Sequence, residues 1–222
     1  MTLKQLLARW RQWMDDTAEP YLHSQDHGVE SLNAAMDEAC TRGKLMRASA
    51  SQALTVAQQA YTMPSGWFDI TAATHSALLR PLNVVSLEVA DKDYPRWRDQ
   101  TGDIPEALIV DITTGSYSVT PIPTVVGTLT LHGYRVPVGT ERFTVSSTTL
   151  EPPTAIPAHK HMYLAHWACH LSYLTRDADA GDDQKAQSHA QLFADHFGEP
   201  VSAKSLRIRQ QVRGQRVTAN WF

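Results

Sequence analysis

Residues 156 to 197, IPAHKHMYLAHWACHLSYLTRDADAGDDQKAQSHAQLFADHF, constrain the fold more than any other stretch and read as two helices joined by an acidic turn. Met162, Ala165, Cys169 and Tyr173 follow helical spacing, as do Tyr163, Trp167, Leu171 and Leu174. The first helix is therefore apolar over a wide arc and is expected to pack on more than one side. In the second, Ala186, Ala190, Phe193 and Phe197 make a narrow stripe, and Gly198 with Pro200 stops it.

The N-terminus supplies partners for that helix. Leu3, Leu6, Leu7, Trp10, Trp13 and Met14 share one helical face, and Thr2 followed by Gln5 is a capping-box start. Pro20 lies in the break that follows, and Ser24 or Asp26 can open a second helix. There Val29, Leu32, Met36, Ala39 and Cys40 form the apolar stripe. Residues 44 to 60 read as continuing helically, with Gly43 the natural break.

From about residue 61 the texture changes. Pro64, Pro81, Pro95, Pro105, Pro121, Pro123 and Pro137 punctuate strand-like runs at 84–90, 107–113, 117–120 and 125–136. Thr114-Gly115 between two of them suggests a tight hairpin. The expected fold class is α+β: mainly an α-helical bundle with an inserted small antiparallel β-sheet of three or four strands and an extended C-terminal arm. The division expected along the chain is 1–60 for N-terminal helices, 61–156 for the β-rich insertion and connector, 157–198 for the closing helical pair, and 199–222 for the arm.

The arm is distinct in charge. Lys204, Arg207, Arg209, Arg213 and Arg216 give residues 201–222 five positive charges and no acid. The whole chain of 222 residues sums to −3, so the remaining 200 positions carry −8. The arm ends in Trp221-Phe222. A basic segment with an aromatic terminus buries little against its own domain and is a candidate for reaching a neighbouring subunit or partner. A net-acidic chain lacks an overall nucleic-acid signature. Two cysteines, Cys40 and Cys169, do not make a disulfide framework. No signal peptide and no apolar run near the roughly 18 residues of a membrane helix is visible, so a protein made in the cytoplasm and kept off membranes is expected.

The candidate chemistry fails on spacing. His159, His166 and His170 lie on one helical face, and the last two have the zinc-helix spacing, but Trp167 stands where a general-base Glu is needed and no third ligand falls at recognisable spacing. Asp177, Asp179, Asp182 and Asp183 resemble a calcium loop, yet the template positions five, six and twelve hold Gly181, Asp182 and Ser188. Asp182 or Asp183 is better placed to cap the following helix. Cys169 with His166 or His170 would make a nucleophile pair only if the thiol were exposed in an electropositive setting. No cofactor motif is present, and no cofactor, metal or enzymatic activity is expected. Of six tryptophans, Trp10, Trp13 and Trp167 lie on apolar helix faces, while Trp67, Trp97 and Trp221 lie in loops or the arm, where exposed aromatics anchor partners. The run Tyr94-Pro95-Arg96-Trp97-Arg98 is also compatible with a base-stacking platform.

Four passages carry a family resemblance. TLKQLLARWRQWMDD has a basic residue near its middle and an Asp at its end. HSQDHGVESLNAAMDEACTRG has Ser-x-Asp before a helix carrying Leu-Asn-x-Ala. Pro95-Arg96-Trp97 through Gly102-x-x-Pro105 leads to a strand and then Thr120-Pro121-Ile122-Pro123. The fourth passage runs from His161 through Asp179 to Phe193. In this order the chain, over about residues 2 to 198, resembles the head-to-tail adaptor (connector, or neck) proteins of tailed bacteriophages.

That resemblance implies a structural virion protein of the neck, made in the host cytoplasm. It would form a ring, typically twelvefold, beneath the portal protein. The ring would extend the channel for genomic DNA without reading its sequence and give a tail or nozzle protein a docking surface. The candidate partner contacts are then Lys204, Arg207, Arg209, Arg213, Arg216, Trp221, Phe222, Trp97 and Trp67. The competing readings are another neck component, such as a head-closure or tail-completion protein, and a small DNA-packaging or nucleic-acid-binding factor using the basic arm.

Overall fold

A computed structural model describes residues 1–78, 80–175 and 181–200. Contacts divide these into two compact units, one of residues 1–46 with 135–200, the other of residues 47–134.

The first unit is helical. α1 (Leu3–Trp13) starts at the expected capping box: Thr2 Oγ1 accepts from the Gln5 N–H, and Gln5 Oε1 accepts from the Thr2 N–H. α2 (Gln25–Gly43) is capped by Ser24, whose side chain accepts from the His27 N–H. It ends with Lys44 in the left-handed region (φ 47°). The closing pair is α4 (Leu164–Tyr173), entered through a 3₁₀ turn at Ala158–Tyr163, and α5 (Asp183–Phe197), capped by Asp182. As its wide apolar arc requires, α4 packs against α1, α2 and α5, with Leu164, Ala165, Ala168 and Cys169 fully buried.

The core of this unit turns on Trp10, which is 0% exposed. Its indole N–H donates to Ser172 Oγ (3.1 Å), which lies 3.1 Å from His27 Nε2 and itself donates to the Ala168 carbonyl (2.9 Å). One hydroxyl thus ties α1, α2 and α4 together, with its donor and acceptor capacity filled. Gly28 permits this approach, since a Cβ there would sit 2.6 Å from Cζ3 of Trp10. The Thr/Ser/Pro connector is clasped by Asn33, which donates to the Phe143 carbonyl and accepts from its N–H, both at 2.9 Å. Arg142 adds a two-pronged ion pair to Asp37 at 3.0 and 2.9 Å.

The second unit overturns the expected fold class. Its centre is not a small antiparallel sheet inserted in a helical bundle but a curled seven-stranded sheet, and the chain is a mixed α and β protein. The strands of that sheet are β1 (Arg47–Leu54), β2 (Ala60–Thr62), β3 (Trp67–His75), β4 (Pro81–Ser86), β6 (Ala107–Val110), β7 (Ser116–Thr120) and β9 (Gly127–Arg135). Their order is β1-β9-β3-β4-β6-β7-β2, and β5 (Thr101–Gly102) pairs separately with β8 (Ile122–Pro123). The sheet is mixed, because β4 and β6 run parallel and are joined by a crossover containing α3 (Leu87–Asp93).

Three features hid this sheet. Residues 47–54, read as helix, form β1 and pair with β9 over eight positions from Arg47↔Tyr134 to Leu54↔Gly127. Long-range pairing overrides the helical propensity of their alanines. The run at 84–90, read as one strand, changes state at Ser86, whose side chain accepts from the Val89 N–H and opens α3. The proposed tight hairpin is a five-residue connection, Asp111 to Gly115, between β6 and β7, with Asp111 at φ 68° and Gly115 at φ 75°.

β6 shows why a central strand reads as a continuous apolar run. Leu108 and Val110 face the interior of the curl with Ile70, Tyr117, Leu129 and Leu131. Ala107 and Ile109 face the layer made by Val85, Val89, Ala90 and Trp97.

Candidate interaction surfaces

The three histidines weighed as a metal set, and set aside on spacing, have separate partners. His159 is exposed, His166 Nδ1 lies 2.9 Å from His189 Nδ1 on α5, and His170 Nδ1 donates to the Ala186 carbonyl at 2.9 Å. Among the described residues, no three His, Cys, Asp or Glu side chains gather where a metal ion could be held. His166 instead stacks on Trp13 (4.1 Å between ring centroids), and Tyr163 stacks on His196 (3.3 Å). The result is an aromatic layer joining α1, α4 and α5.

The pair in this layer is held neutral. Burial first, and then the neighbouring His189 and His196, push the His166 imidazole down to about 4. Burial, His170 and Lys185 lower His189. The unfolded chain takes up these protons near the ordinary histidine value of 6.5, so between about pH 6.5 and about 4 it binds more protons than the folded chain. Acidification across that window is expected to destabilise the helical unit, by about 2 kcal/mol between pH 7 and 5 from His166 alone. Urea midpoints followed by far-ultraviolet circular dichroism at the two pH values check this. An unchanged midpoint would contradict it.

The thiols are inert for the same physical reason. Burial pushes both Cys40 and Cys169 up to about 12, and both are fully buried and unpaired with each other. Cys169 therefore lacks the exposed, electropositive setting that a nucleophilic thiol needs, and its Sγ lies 3.9 Å from the Trp10 carbonyl oxygen.

Of the two described aromatics expected as exposed partner anchors, Trp97 is buried instead. It is 5% exposed, sits in the layer beneath α3, and donates its indole N–H to Asp91 Oδ1 at 2.8 Å. Arg98 donates to the same carboxylate (2.7 Å) and lies 4.2 Å from the Trp97 ring centroid. Those two donors hold the Asp91 carboxyl below its usual range. Tyr94 accepts from Asn83 at 2.8 Å. The run that resembled a base-stacking platform is thus engaged with its own unit.

Trp67 is half-buried and lines a half-open cleft of about 480 Å³. The start of β3 gives Trp67, Phe68, Asp69 and Ile70 to one wall, the β6–β7 connection with the first residue of β7 gives Asp111 to Ser116 to the other, and Met63 closes one side. The walls are pinned by backbone: the Met63 N–H donates to the Gly115 carbonyl (2.8 Å), and the Trp67 N–H to that of Pro64 (3.1 Å). The Trp67 ring is seated on β9, where Gly133 leaves room for it; a Cβ there would lie 2.7 Å from its Cζ3.

A further surface was missed. Val56, Val125 and Val126 are 49%, 45% and 77% exposed. Val56 follows β1 and Val125-Val126 precede β9 at the end of the pair marked by Leu54↔Gly127, near which the Ala57 N–H donates to the Pro123 carbonyl at 2.9 Å. The Val125-Val126 doublet, bounded by Thr124 and Gly127, was the available signal. The other expected contacts, Lys204, Arg207, Arg209, Arg213, Arg216, Trp221 and Phe222, lie outside the described residues, as do Asp177 and Asp179.

Among the described residues, no helix is long and apolar enough to cross a membrane. Compared with known families, the chain matches the family described as SU10 adaptor protein over residues 1–218. The search of curated proteins found no significant match.

Proposed function

The chain belongs to the SU10 adaptor family, a phage head-to-tail adaptor family, and from that membership we propose that it forms a ring beneath the portal and extends the DNA channel toward the tail. A phage adaptor is a virion component that associates with other head or tail proteins, and the family points to a structural rather than an enzymatic role. The observation that carries the proposal is the extent of the match, which runs through both compact units and on into the basic arm.

Physical chemistry favours this reading. A ring of identical subunits needs heterologous contacts that close on themselves. A β-rich unit carrying a cleft and an exposed valine tip, together with a basic arm, offers unlike surfaces for such contacts. Outside the arm the chain carries −8, which suits a channel wall along which DNA slides without being gripped.

Removal of residues 201–222 separates this from the nucleic-acid reading. The expected result is loss of binding to the cognate portal with little change in an already weak DNA affinity. Steeply salt-dependent DNA binding that disappears with the arm would overturn it.

A further inference from the structure

Among the described residues, β1 leaves an open edge at one end of the seven-stranded sheet. It pairs with β9 without a break from Arg47 to Leu54, so no bulge interrupts it. The Ser76 N–H donates to the Thr128 carbonyl (3.0 Å), which turns the Thr128 backbone toward the β3 side. Ala53, opposite Thr128, therefore turns its own backbone polar groups away from β9. The same alternation brings the N–H and C=O groups of Arg47, Ser49 and Ser51 to the open edge. No other described residue bonds to them. The edge stops where the Ala53 carbonyl accepts from Gln52 Nε2 (2.9 Å) and the Thr55 N–H donates to the Tyr61 hydroxyl (3.1 Å). An open row of N–H and C=O groups recruits a further strand, and natural proteins blunt such edges with Lys, Pro or bulges. β1 has none of these, and its one charge is Arg47 at the first position.

The face beside that edge is unfinished as well. Ala48, Ala50, Gln52 and Leu54 share a face with Leu129 and Leu131, which are fully buried, yet Ala48 and Ala50 are only half-buried. A strand that completes this face needs an apolar residue at alternate positions. Residues 206–213, LRIRQQVR, have that pattern: Leu206, Ile208, Gln210 and Val212 alternate with Arg207, Arg209, Gln211 and Arg213. No Pro or Gly lies among them. We propose that this segment of a second copy adds to β1 as a further strand and links one subunit to the next. The inference rests on the ring reading above. Main-chain hydrogen bonds hold the strand, Leu206, Ile208 and Val212 cover the half-buried face, and the arginines stay in solvent on the side of Ser49 and Ser51. Extended, residues 201–222 reach up to about 70 Å, enough to cross to a neighbour. A donated strand and an accepting edge are unlike surfaces, the heterologous kind that closes a ring. A ring held by these strands meets portal at many contacts together, so loss of the arm also weakens portal binding.

The test uses the full chain with Ser49→p-benzoylphenylalanine on the exposed face of β1, prepared in light and heavy isotopic forms, mixed, and assembled on portal. After irradiation and chymotryptic digestion, mass spectrometry is expected to find mixed-isotope adducts between β1 and peptides from residues 201–222. Leu206→Ser with Ile208→Ser keeps the charge of the arm but removes its apolar face, and should lower their yield about tenfold. Ser51→Pro removes an N–H that faces away from β9, leaves that pairing intact, and should lower the yield likewise. Rings that form without such adducts, adducts confined to one isotope, adducts to portal, adducts joining two β1 strands, or a yield unchanged by the Leu206 and Ile208 changes would each overturn the inference. Failure to form rings at all would remove the ring reading and this inference with it, so the two failures are distinguishable.

Discussion

Trp10→Ala is expected to lower the stability of the helical unit by about 4 kcal/mol. The side chain is fully buried among Leu7, Gly28 and the rings of His23 and His27. Its removal leaves a large void beneath α1, because the helix backbones around it cannot close the gap. It also removes a donor from Ser172, the hydroxyl that ties three helices together. A domain of ordinary stability holds about 5 to 15 kcal/mol in all, so this one change takes a large share. Trp10→Phe keeps most of the volume and loses the N–H, and a cost of about 1 to 2 kcal/mol is expected for it. Urea unfolding at neutral pH, followed by the helical signal, measures both. A loss below 1 kcal/mol for the alanine variant would show that this core is not organised around the indole.

In the β unit, Gly133→Ala is the most damaging small change. A methyl group at Gly133 meets the backbone carbonyl of Asp69 and the ring of Trp67. Backbone cannot rotate away as a side chain can, so β3 and β9 must separate or the strand must slip. A cost of about 3 kcal/mol or more is expected, at the upper end for overpacking. Gly115→Ala supplies the contrast. It has φ 75° but nothing within 4 Å of the added carbon, so only backbone strain of about 1 kcal/mol opposes it. Thermal unfolding of the pair checks the ranking. Equal losses would mean that close approach at Gly133 does not hold the sheet together.

These residues also show what could be read without a structure. Helical spacing found α1, α2, α4 and α5; cap chemistry placed one start at Thr2 and narrowed two others to Ser24 or Asp26 and to Asp182 or Asp183, of which Ser24 and Asp182 are the caps. Such signals are local: a face every 3.6 residues and a side chain bonded three residues on. The sheet was underestimated because its signals are not local. β1 is built of Ala and Ser, whose small alternation says little until β9 lies beside it. β3 was passed over although Trp67, Phe68, Ile70 and Thr71 are strand formers. The parallel β4–β6 pair depends on a crossover that only the helix capped at Ser86 reveals.

The candidate surfaces divide in the same way. Trp67 and Trp97 look alike in sequence, each an aromatic near prolines in a loop-rich region. One lines a cleft, whereas the other is buried against Val85, Val89, Ala90 and Ile109, with Asp91, six residues earlier, accepting its N–H. Burial of a tryptophan is decided by a partner's position, and no composition rule supplies that. Gly133, which seats Trp67, carries no signal of its own until β3 is placed against β9.

The account's central claim concerns assembly. Native mass measurement of the full-length protein, alone and after mixing with its cognate portal at micromolar concentration, tests it most directly. The account predicts a monomeric or weakly associated protein by itself. With portal it predicts one discrete complex carrying many copies, in a fixed ratio to portal subunits. A mixture that yields only free portal and free protein would contradict it.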